Sequence, residues 1–277
     1  MQYSWLNGAI YETTHSQISI ADRGFLLGDG LYETLRIISG QAVDLSEHWQ
    51  RLTSSAQHYL FSLSYSQEQV AEAIQQLINR NQVQEAVLRI TLTRGPGGRG
   101  LAFNPKQSST LLLTLSDLPS PRPYYNVALI TEPRSTGGSE WSHKALHSLP
   151  SIRQYHLAME SGFHEALWSD SQGCLLEACT ANVFLIKNGS LYTPPTNGSI
   201  LPGITRAQVI LLAKEIGISI YSDPIRIVDL DQFEAGFLTN SVRGILPIHQ
   251  IENYGTKNEK HILVEKMAKS MPERVVC

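Results

Sequence analysis

The sequence predicts an α+β protein of two domains. Strand-like and helix-like periods are mixed along its 277 residues without a regular βαβ alternation. A proline-rich segment interrupts them near the middle, and a chain of this length holds one large or two medium domains. The interruption is Asp117-Leu-Pro-Ser-Pro-Arg-Pro123. Its prolines cannot join a sheet interior and make a stiff connector. Residues 1–117 are therefore expected to form an N-terminal α+β domain, 118–124 a linker, and 125–277 a C-terminal α+β domain.

The elements follow in order. Tyr3 to Leu6 and Ala9 to Tyr11 flank Asn7-Gly8, the pair that supplies the two positive-φ residues of a type I′ hairpin. A helix is expected from Ser46 through His48, Leu52 and Ala56 towards Tyr59. A second starts at Ser66, which forms a capping box with Gln69, and runs through Val70, Ala73, Ile74, Leu77 and Ile78. Val87 to Thr93 alternates, with Leu88, Ile90 and Leu92 on one face and Arg89 and Thr91 on the other. Thr110 to Leu115 reads as a strand covered on both faces.

In the second half, Val127 to Ile130 reads as a strand, and Leu149, Ile152, His156 and Met159 stand at helical spacing. Glu165 to Trp168 and Asn182 to Lys187 are strands, the latter turning at Asn188-Gly189 into Ser190 to Thr193. Thr205 to Ile216 is a helix closed by Gly217 at C′.

Composition narrows the function. Apolar residues at 42% and charged residues at 17% fit a globular enzyme-sized chain and exclude a collagenous or disordered one. A net charge of −3 lacks the basic excess that nucleic-acid or anionic-membrane binding would need. Neither a membrane span nor a secretory leader is expected, since the apolar runs are short and Met-Gln-Tyr-Ser-Trp has no basic or apolar region. Cys174, Cys179 and Cys277 are odd in number and lack CxxC spacing, so a cytoplasmic protein without disulfides is expected.

Four constellations carry possible chemistry. Gly95, Gly97 and Gly100 match G-x-G-x-x-G after a strand, but Leu101-Ala-Phe-Asn-Pro105 cannot open the helix a dinucleotide site requires. The segment remains a surface loop or a loop delivering Arg99 to an anionic substrate, since guanidinium matches carboxylate bidentately. His143 and His147, with Glu140 nearby, hint at a metal, yet the zincin pattern needs Glu where Lys144 stands, so no metal is expected. Asn188-Gly-Ser190 and Asn197-Gly-Ser199 are turns rather than glycosylation sites. In Leu201-Pro-Gly-Ile-Thr205-Arg206 a turn feeds a helix whose free N–H groups, with the Thr205 hydroxyl, can hold an anion or simply be an ordinary helix start. Thr239-Asn-Ser241 is a second hydroxyl-bearing candidate; the two together would hold a phosphate.

These pieces resemble one family, the class IV (fold-type IV) pyridoxal-phosphate-dependent aminotransferases. The matching segments are Ala21-Asp-Arg-Gly24, Gly28 to Thr34, His48-Trp-Gln-Arg51-Leu52, His143-Lys144-Ala-Leu146, Glu165-Ala-Leu, Leu176 to Phe184, Leu201 to Arg206 and Thr239 to Pro247. The resemblance implies a two-domain fold like that of D-amino-acid aminotransferase, with the pyridoxal 5′-phosphate cofactor between a small N-terminal and a larger C-terminal domain of a homodimer. It implies that Lys144 condenses with the cofactor aldehyde, which needs a primary amine that can lose its proton. Glu177 matches the partner of the pyridine nitrogen, whose protonated ring acts as electron sink. Arg51, the backbone at Ile204, Thr205, Asn240 and Ser241 match the phosphate cradle. Leu201 matches the side chain under the ring. Tyr32, Arg99 and Arg243 match substrate-binding positions.

Within the family, the branched-chain enzymes commonly carry Gly-Thr-Ala-Ala-Glu where this chain has Asn240-Ser-Val-Arg-Gly244. The D-amino-acid enzymes resemble Arg-x-His where it has Arg99-Gly-Leu101. The aminodeoxychorismate lyases resemble Arg-Gly-x-Gly-Gly-Arg-Gly and Asn-Ser-x-x-Gly-x-x-Pro, both present at 94–100 and 240–247. The resemblance thus points to release of 4-aminobenzoate and pyruvate from 4-amino-4-deoxychorismate, a step toward folate, with D-amino-acid transamination as the alternative. Lys144 would serve first as covalent partner and then as general base.

Overall fold

The computed structural model describes residues 1–255 and 257–271, so Cys277 lies outside the described residues. The chain divides into two units: Met1–Pro119 with His143–His147, and Ser120–Ser142 with the described residues from Ser148 onward.

The first unit contains β1 (Tyr3–Leu6), β2 (Ala9–Glu12), α1 (Arg23–Leu27), β3 (Gly30–Ile38), β4 (Gln41–Ala42), α2 (Leu45–His58), α3 (Gln67–Asn81), β5 (Ala86–Thr93) and β6 (Thr110–Ser116). Its strands form one sheet in the order β2-β1-β6-β5-β3-β4, every pair antiparallel. The first hairpin closes because Asn7 and Gly8 take φ of 47° and 101°. The capping box of α3 is complete: Gln69 N–H donates to Ser66 Oγ and Ser66 N–H to Gln69 Oε1. The two long helices bury Trp49, Leu52, Val70, Ile74 and Leu77 in one core with Leu35, Leu88, Ile90 and Leu113. Each such side chain contributes about 1.5–3 kcal/mol on burial.

Two expectations need correction here. β6 is not covered equally on both faces: Leu111, Leu113 and Leu115 are buried while Leu112 and Thr114 are half-buried, because its core lies on one side only. The Lys144 segment does not belong with a continuous 125–277 domain. β4 pairs with only the last two residues of β3, which leaves the start of β3 as an open edge. Residues 144–146 fill it, with Tyr32 N–H donating to Lys144 O (2.8 Å) and Leu146 N–H to Gly30 O (2.9 Å). An edge strand's unpaired groups are satisfied in this way by a segment distant in sequence.

The second unit contains β7 (Tyr125–Leu129), α4 (Leu149–Glu160), β8 (Glu165–Ser169), β9 (Leu175–Ala178), β10 (Asn182–Lys187), β11 (Ser190–Tyr192), α5 (Ile204–Glu215), β12 (Ile220–Tyr221), β13 (Ala235–Asn240), β14 (Gly244–Ile251) and α6 (Ile262–Ser270). The sheet order is β12-β11-β10-β13-β14-β7-β8-β9, with β7–β8, β7–β14 and β11–β12 parallel. β10 is buried on both sides. Val183 and Leu185 join Leu238, Leu246 and Ile248 on one face. Phe184 and Ile186 meet Val209 and Ala213 of α5 and Val264 and Met267 of α6 on the other. The helical stripe that predicts α4 does not face this core: Leu149 is 78% and Ile152 60% exposed, and Ala158 is the buried residue.

Glu165 opens β8 fully enclosed. Its carboxylate accepts from Ala166 N–H (3.0 Å) and from the Thr180 hydroxyl, which ties the strand to the turn after β9. Burial outweighs these bonds and raises its pKa from 4.5 to about 7. A raised folded value favours the neutral acid, so this contribution to stability is complete below about pH 4.5 and lost as pH rises through 7. Glu165→Gln is expected to flatten the melting temperature between pH 5 and 8, while the parent protein loses stability over that range. An equal slope in calorimetry of both proteins would contradict it.

Candidate functional site

The candidate residues fall into two groups, one in each unit. In the first, Lys144 is half-buried, and its backbone is fixed by the two bonds to β3. Its ammonium stands 4.5 Å from the centre of the Tyr32 ring, over which the Arg89 guanidinium also lies at 3.8 Å. Burial pulls the Arg89 pKa down and the Tyr32 hydroxyl partly restores it. The preceding residue is pinned too, since His143 Nδ1 is 2.9 Å from Ser55 Oγ and its ring stacks on His58. Burial, then the charge of His58, holds His143 below the usual imidazole range. The histidine pair at 143 and 147 is thus not on a helix.

Arg51 projects from α2 onto Glu33, donating through Nε (2.8 Å) and Nη2 (2.6 Å). His48 Nδ1 meets the same carboxylate at 2.7 Å. Burial pushes Glu33 upward, but these bonds and charges win and bring it to about 2. Tyr32 and Glu33 are successive strand residues, so their side chains leave β3 on opposite faces. Arg99 is exposed on the loop after β5 and has no partner among the described residues. No helix follows Gly100; residues 98–109 are irregular.

The second group surrounds Glu177 at the end of β9. Its Oε1 accepts from Arg134 Nη1 (2.7 Å), and its Oε2 from Leu201 N–H (3.0 Å) and Asn182 Nδ2 (3.3 Å). Asn182 also donates to Leu201 O at 3.0 Å. Leu201 thereby stands next to the carboxylate on a fixed backbone. The turn continues to Gly203, where a Cβ would fall on Asn182 Oδ1, so only glycine allows this approach. α5 starts at Ile204 and Thr205 with no side-chain cap on its first N–H groups. At the β13–β14 turn Asn240 Oδ1 accepts from Val242 N–H (3.2 Å) and Arg243 N–H (2.9 Å), which curls the chain at Ser241. The buried Thr239 hydroxyl has no partner among the described residues. Arg243 does not point free into solvent: Nη1 donates to the Tyr125 hydroxyl. Burial raises the Tyr125 pKa, and Arg243 opposes that rise.

This donor set fits a phosphorylated pyridine. Uncapped helix N–H groups, the Thr205 hydroxyl and an unpartnered Thr239 hydroxyl suit an anion, and a carboxylate met by donors suits a ring N–H. Glu177→Gln is expected to lower kcat by about 100- to 1,000-fold with the fold retained, read by steady-state kinetics and circular dichroism. Unchanged kcat would count against the role.

Sequence reasoning assigned no role to Asn182, Tyr125 or Arg134; Arg134 lies outside the regular elements and matters only because it meets Glu177 across 43 positions. It also left aside the bond between Glu33 and His48, since both lie inside matched segments that were read for other residues. A buried carboxylate needing compensation is a signal visible only once burial is known.

Comparison with known proteins bears on these residues. The sequence profile described as Amino-transferase class IV matches residues 30–251. A Methanocaldococcus jannaschii protein provisionally assigned as a branched-chain-amino-acid aminotransferase is 30% identical, over 98% of this chain and 94% of its own. A D-alanine aminotransferase of Staphylococcus aureus is 25% identical, over 91% and 90%. The crystal structure of a Legionella pneumophila protein provisionally assigned as 4-amino-4-deoxychorismate lyase superposes with a TM-score of 0.88 at 29% identity, covering 92% of this chain and 94% of that one. The two-domain α+β fold implied by the resemblance is the fold of these neighbours. Pyridoxal 5′-phosphate is the cofactor of such enzymes. With the profile spanning most of its length and a relative matching nearly end to end, the chain belongs to the class IV aminotransferase family.

Proposed function

We propose that this protein uses pyridoxal 5′-phosphate to release 4-aminobenzoate and pyruvate from 4-amino-4-deoxychorismate. The observation that carries the reading is the Asn240-to-Gly244 turn: Asn240 fixes its curl through two backbone bonds and sets Arg243 beside Tyr125. That turn differs from the Gly-Thr-Ala-Ala-Glu expected of branched-chain enzymes. The exposed Arg99 on the Arg-Gly-x-Gly-Gly-Arg-Gly loop adds a second guanidinium for a substrate with two carboxylates. The likeness to the Legionella protein supports the same choice.

When bound, the cofactor supplies an electron sink for the carbanion at the substrate carbon. This chain's residues do the rest. Lys144 would be the amine that condenses with the cofactor aldehyde and, once free, the general base that accepts the proton from the substrate carbon bearing nitrogen. Glu177 keeps a proton on the ring nitrogen. Thr205, Asn240, Ser241 and the Ile204 backbone would hold its phosphate, with Arg51 as the cation, and Leu201 would support its ring. Tyr32, Arg99 and Arg243 orient the substrate. A homodimer goes with this reading and is tested by light scattering, a monomer mass counting against it.

A second reading is transamination, favoured by the curated relatives, among them the Methanocaldococcus and Staphylococcus proteins. Purified holoenzyme given aminodeoxychorismate is expected to release 4-aminobenzoate and to turn over D-alanine or L-leucine with 2-oxoglutarate far more slowly. Fast transamination without aminobenzoate release would reverse the order. No helix among the described residues is long and apolar enough to cross a membrane.

A further inference from the structure

An exposed loop of the first unit is held from below by a buried cation. Arg99, Gly100, Leu101 and Ala102 are all exposed, yet three consecutive carbonyls of this stretch converge on one guanidinium. Arg23 Nη1 donates to Gly100 O (2.9 Å) and Ala102 O (3.2 Å), and Nη2 donates to Leu101 O (3.3 Å). The Arg23 residue itself is only 3% exposed.

Its orientation is fixed by a second ion pair. Nε donates to Asp29 Oδ2 at 2.8 Å. Asp29 also binds Arg94 through Nε (2.8 Å) and Nη2 (3.0 Å). Arg94 is in turn tied to the carbonyls of Tyr59 and Leu60 and lies over the rings of Phe61 and Phe103. Burial would raise the Asp29 pKa, but the two arginines hold it below the usual carboxylate range. The loop entrance is pinned as well: Arg23 N–H donates to Gly95 O and Gly97 N–H to Ala21 O, each at 3.0 Å. Gly97 makes room for the arginine stem, since a Cβ there would lie 2.7 Å from Arg23 Cδ.

We propose that Arg23 is a positioning residue whose guanidinium gathers the carbonyls of residues 100–102 and so sets the curl that presents Arg99 to a substrate carboxylate. This rests on the reading of Arg99 given above. A planar fork with five donors can serve a carboxylate and three carbonyls at once. A lysine, a point charge on a flexible stem, serves them only in part. Without the fork, no other hydrogen bond among the described residues restrains residues 99–102, and the entropy of ordering them falls on substrate binding.

The test uses the holoenzyme and Arg23→Gln, Arg23→Lys, Gly97→Ala and Arg99→Gln variants. Limited trypsin digestion, read by mass spectrometry, reports cleavage of the Arg99–Gly100 bond independently of activity. Arg23→Gln is expected to speed that cleavage about tenfold, with Arg23→Lys in between. It is also expected to raise KM for aminodeoxychorismate (or for D-alanine, if that is the substrate turned over) about tenfold with kcat changed less than about threefold. Arg99→Gln is expected to raise the same KM. If Arg23→Gln does not fold, Gly97→Ala displaces the arginine stem and is read in the same way. Cleavage at the parent rate in both Arg23→Gln and Gly97→Ala overturns the proposal. A raised KM in Arg99→Gln with none in a well-folded Arg23→Gln overturns the positioning role and leaves Arg99 in place. An unchanged KM in Arg99→Gln removes the reading of Arg99 itself, and the proposal with it.

Discussion

Replacing Lys144 by Ala is expected to reduce turnover by about 10,000-fold or more while leaving the protein folded. On the proposed mechanism the loss is large because one amine would do two jobs, covalent attachment of the cofactor and proton transfer at the reacting carbon. The fold survives because the segment is held by backbone groups: Tyr32 N–H reaches Lys144 O and Leu146 N–H reaches Gly30 O, neither of which uses the side chain. His143 stays on Ser55 and His58 for the same reason. The check has two parts. Borohydride reduction followed by peptide mass mapping should fix the cofactor on position 144 in the parent and nowhere in the variant. The melting temperature should differ by no more than about 3 °C, as for a half-exposed side chain outside the core. A variant as active as the parent would remove Lys144 from the chemistry altogether.

Replacing Glu33 by Ala is expected to be the most destabilising single change in the first unit. Glu33 stands on the same face of β3 as Leu31, Leu35 and Ile37, and it is the acceptor for both Arg51 and His48. Removing it strands a largely buried guanidinium, a loss of about 3–5 kcal/mol. In melting temperature that is roughly 10 °C. The pH dependence gives the sharper test. Since the folded pKa is lowered from 4.5 to about 2, the stabilisation is complete above about pH 4.5 and is lost as the pH falls towards 2. The gap between parent and variant should therefore be wide at pH 7 and clearly narrower at pH 2.5, measured by denaturant titration. A gap that does not narrow would mean that the loss comes from packing rather than from the ion pair. Arg51 loses its anchor in the same variant, so on the proposed phosphate role of Arg51 weaker retention of the cofactor is expected alongside the lower stability.

Much of the fold was legible locally. Asn7-Gly8, the Ser66–Gln69 box and Gly217 mark turns and helix ends through bonds made within a few residues, and each stands where its chemistry puts it. The alternation of β5 is equally plain. β3 was hidden for a physical reason: its inward face reads Leu-Glu-Leu-Ile at alternate positions, and the charge at Glu33 breaks the apolar period. α4 shows the converse, an apolar stripe that sets the helix yet faces away from the core of its unit.

For the candidate residues, it was the resemblance to one family that grouped Lys144, Glu177, the start of α5 and the Asn240 turn, and these are residue types whose reactivity is intrinsic. An amine condenses with an aldehyde, a carboxylate accepts a ring proton, and uncapped N–H groups attract an anion, whatever the fold. What only the tertiary structure decided is which charges are compensated and by whom. Arg134 reaches Glu177 and Arg94 reaches Asp29 across long stretches of chain, and the Lys144 segment leaves its sequence neighbours to close the edge of β3. The free energy of a charge or an unpaired backbone group depends on what surrounds it after folding, and that surrounding is built from residues no local pattern connects.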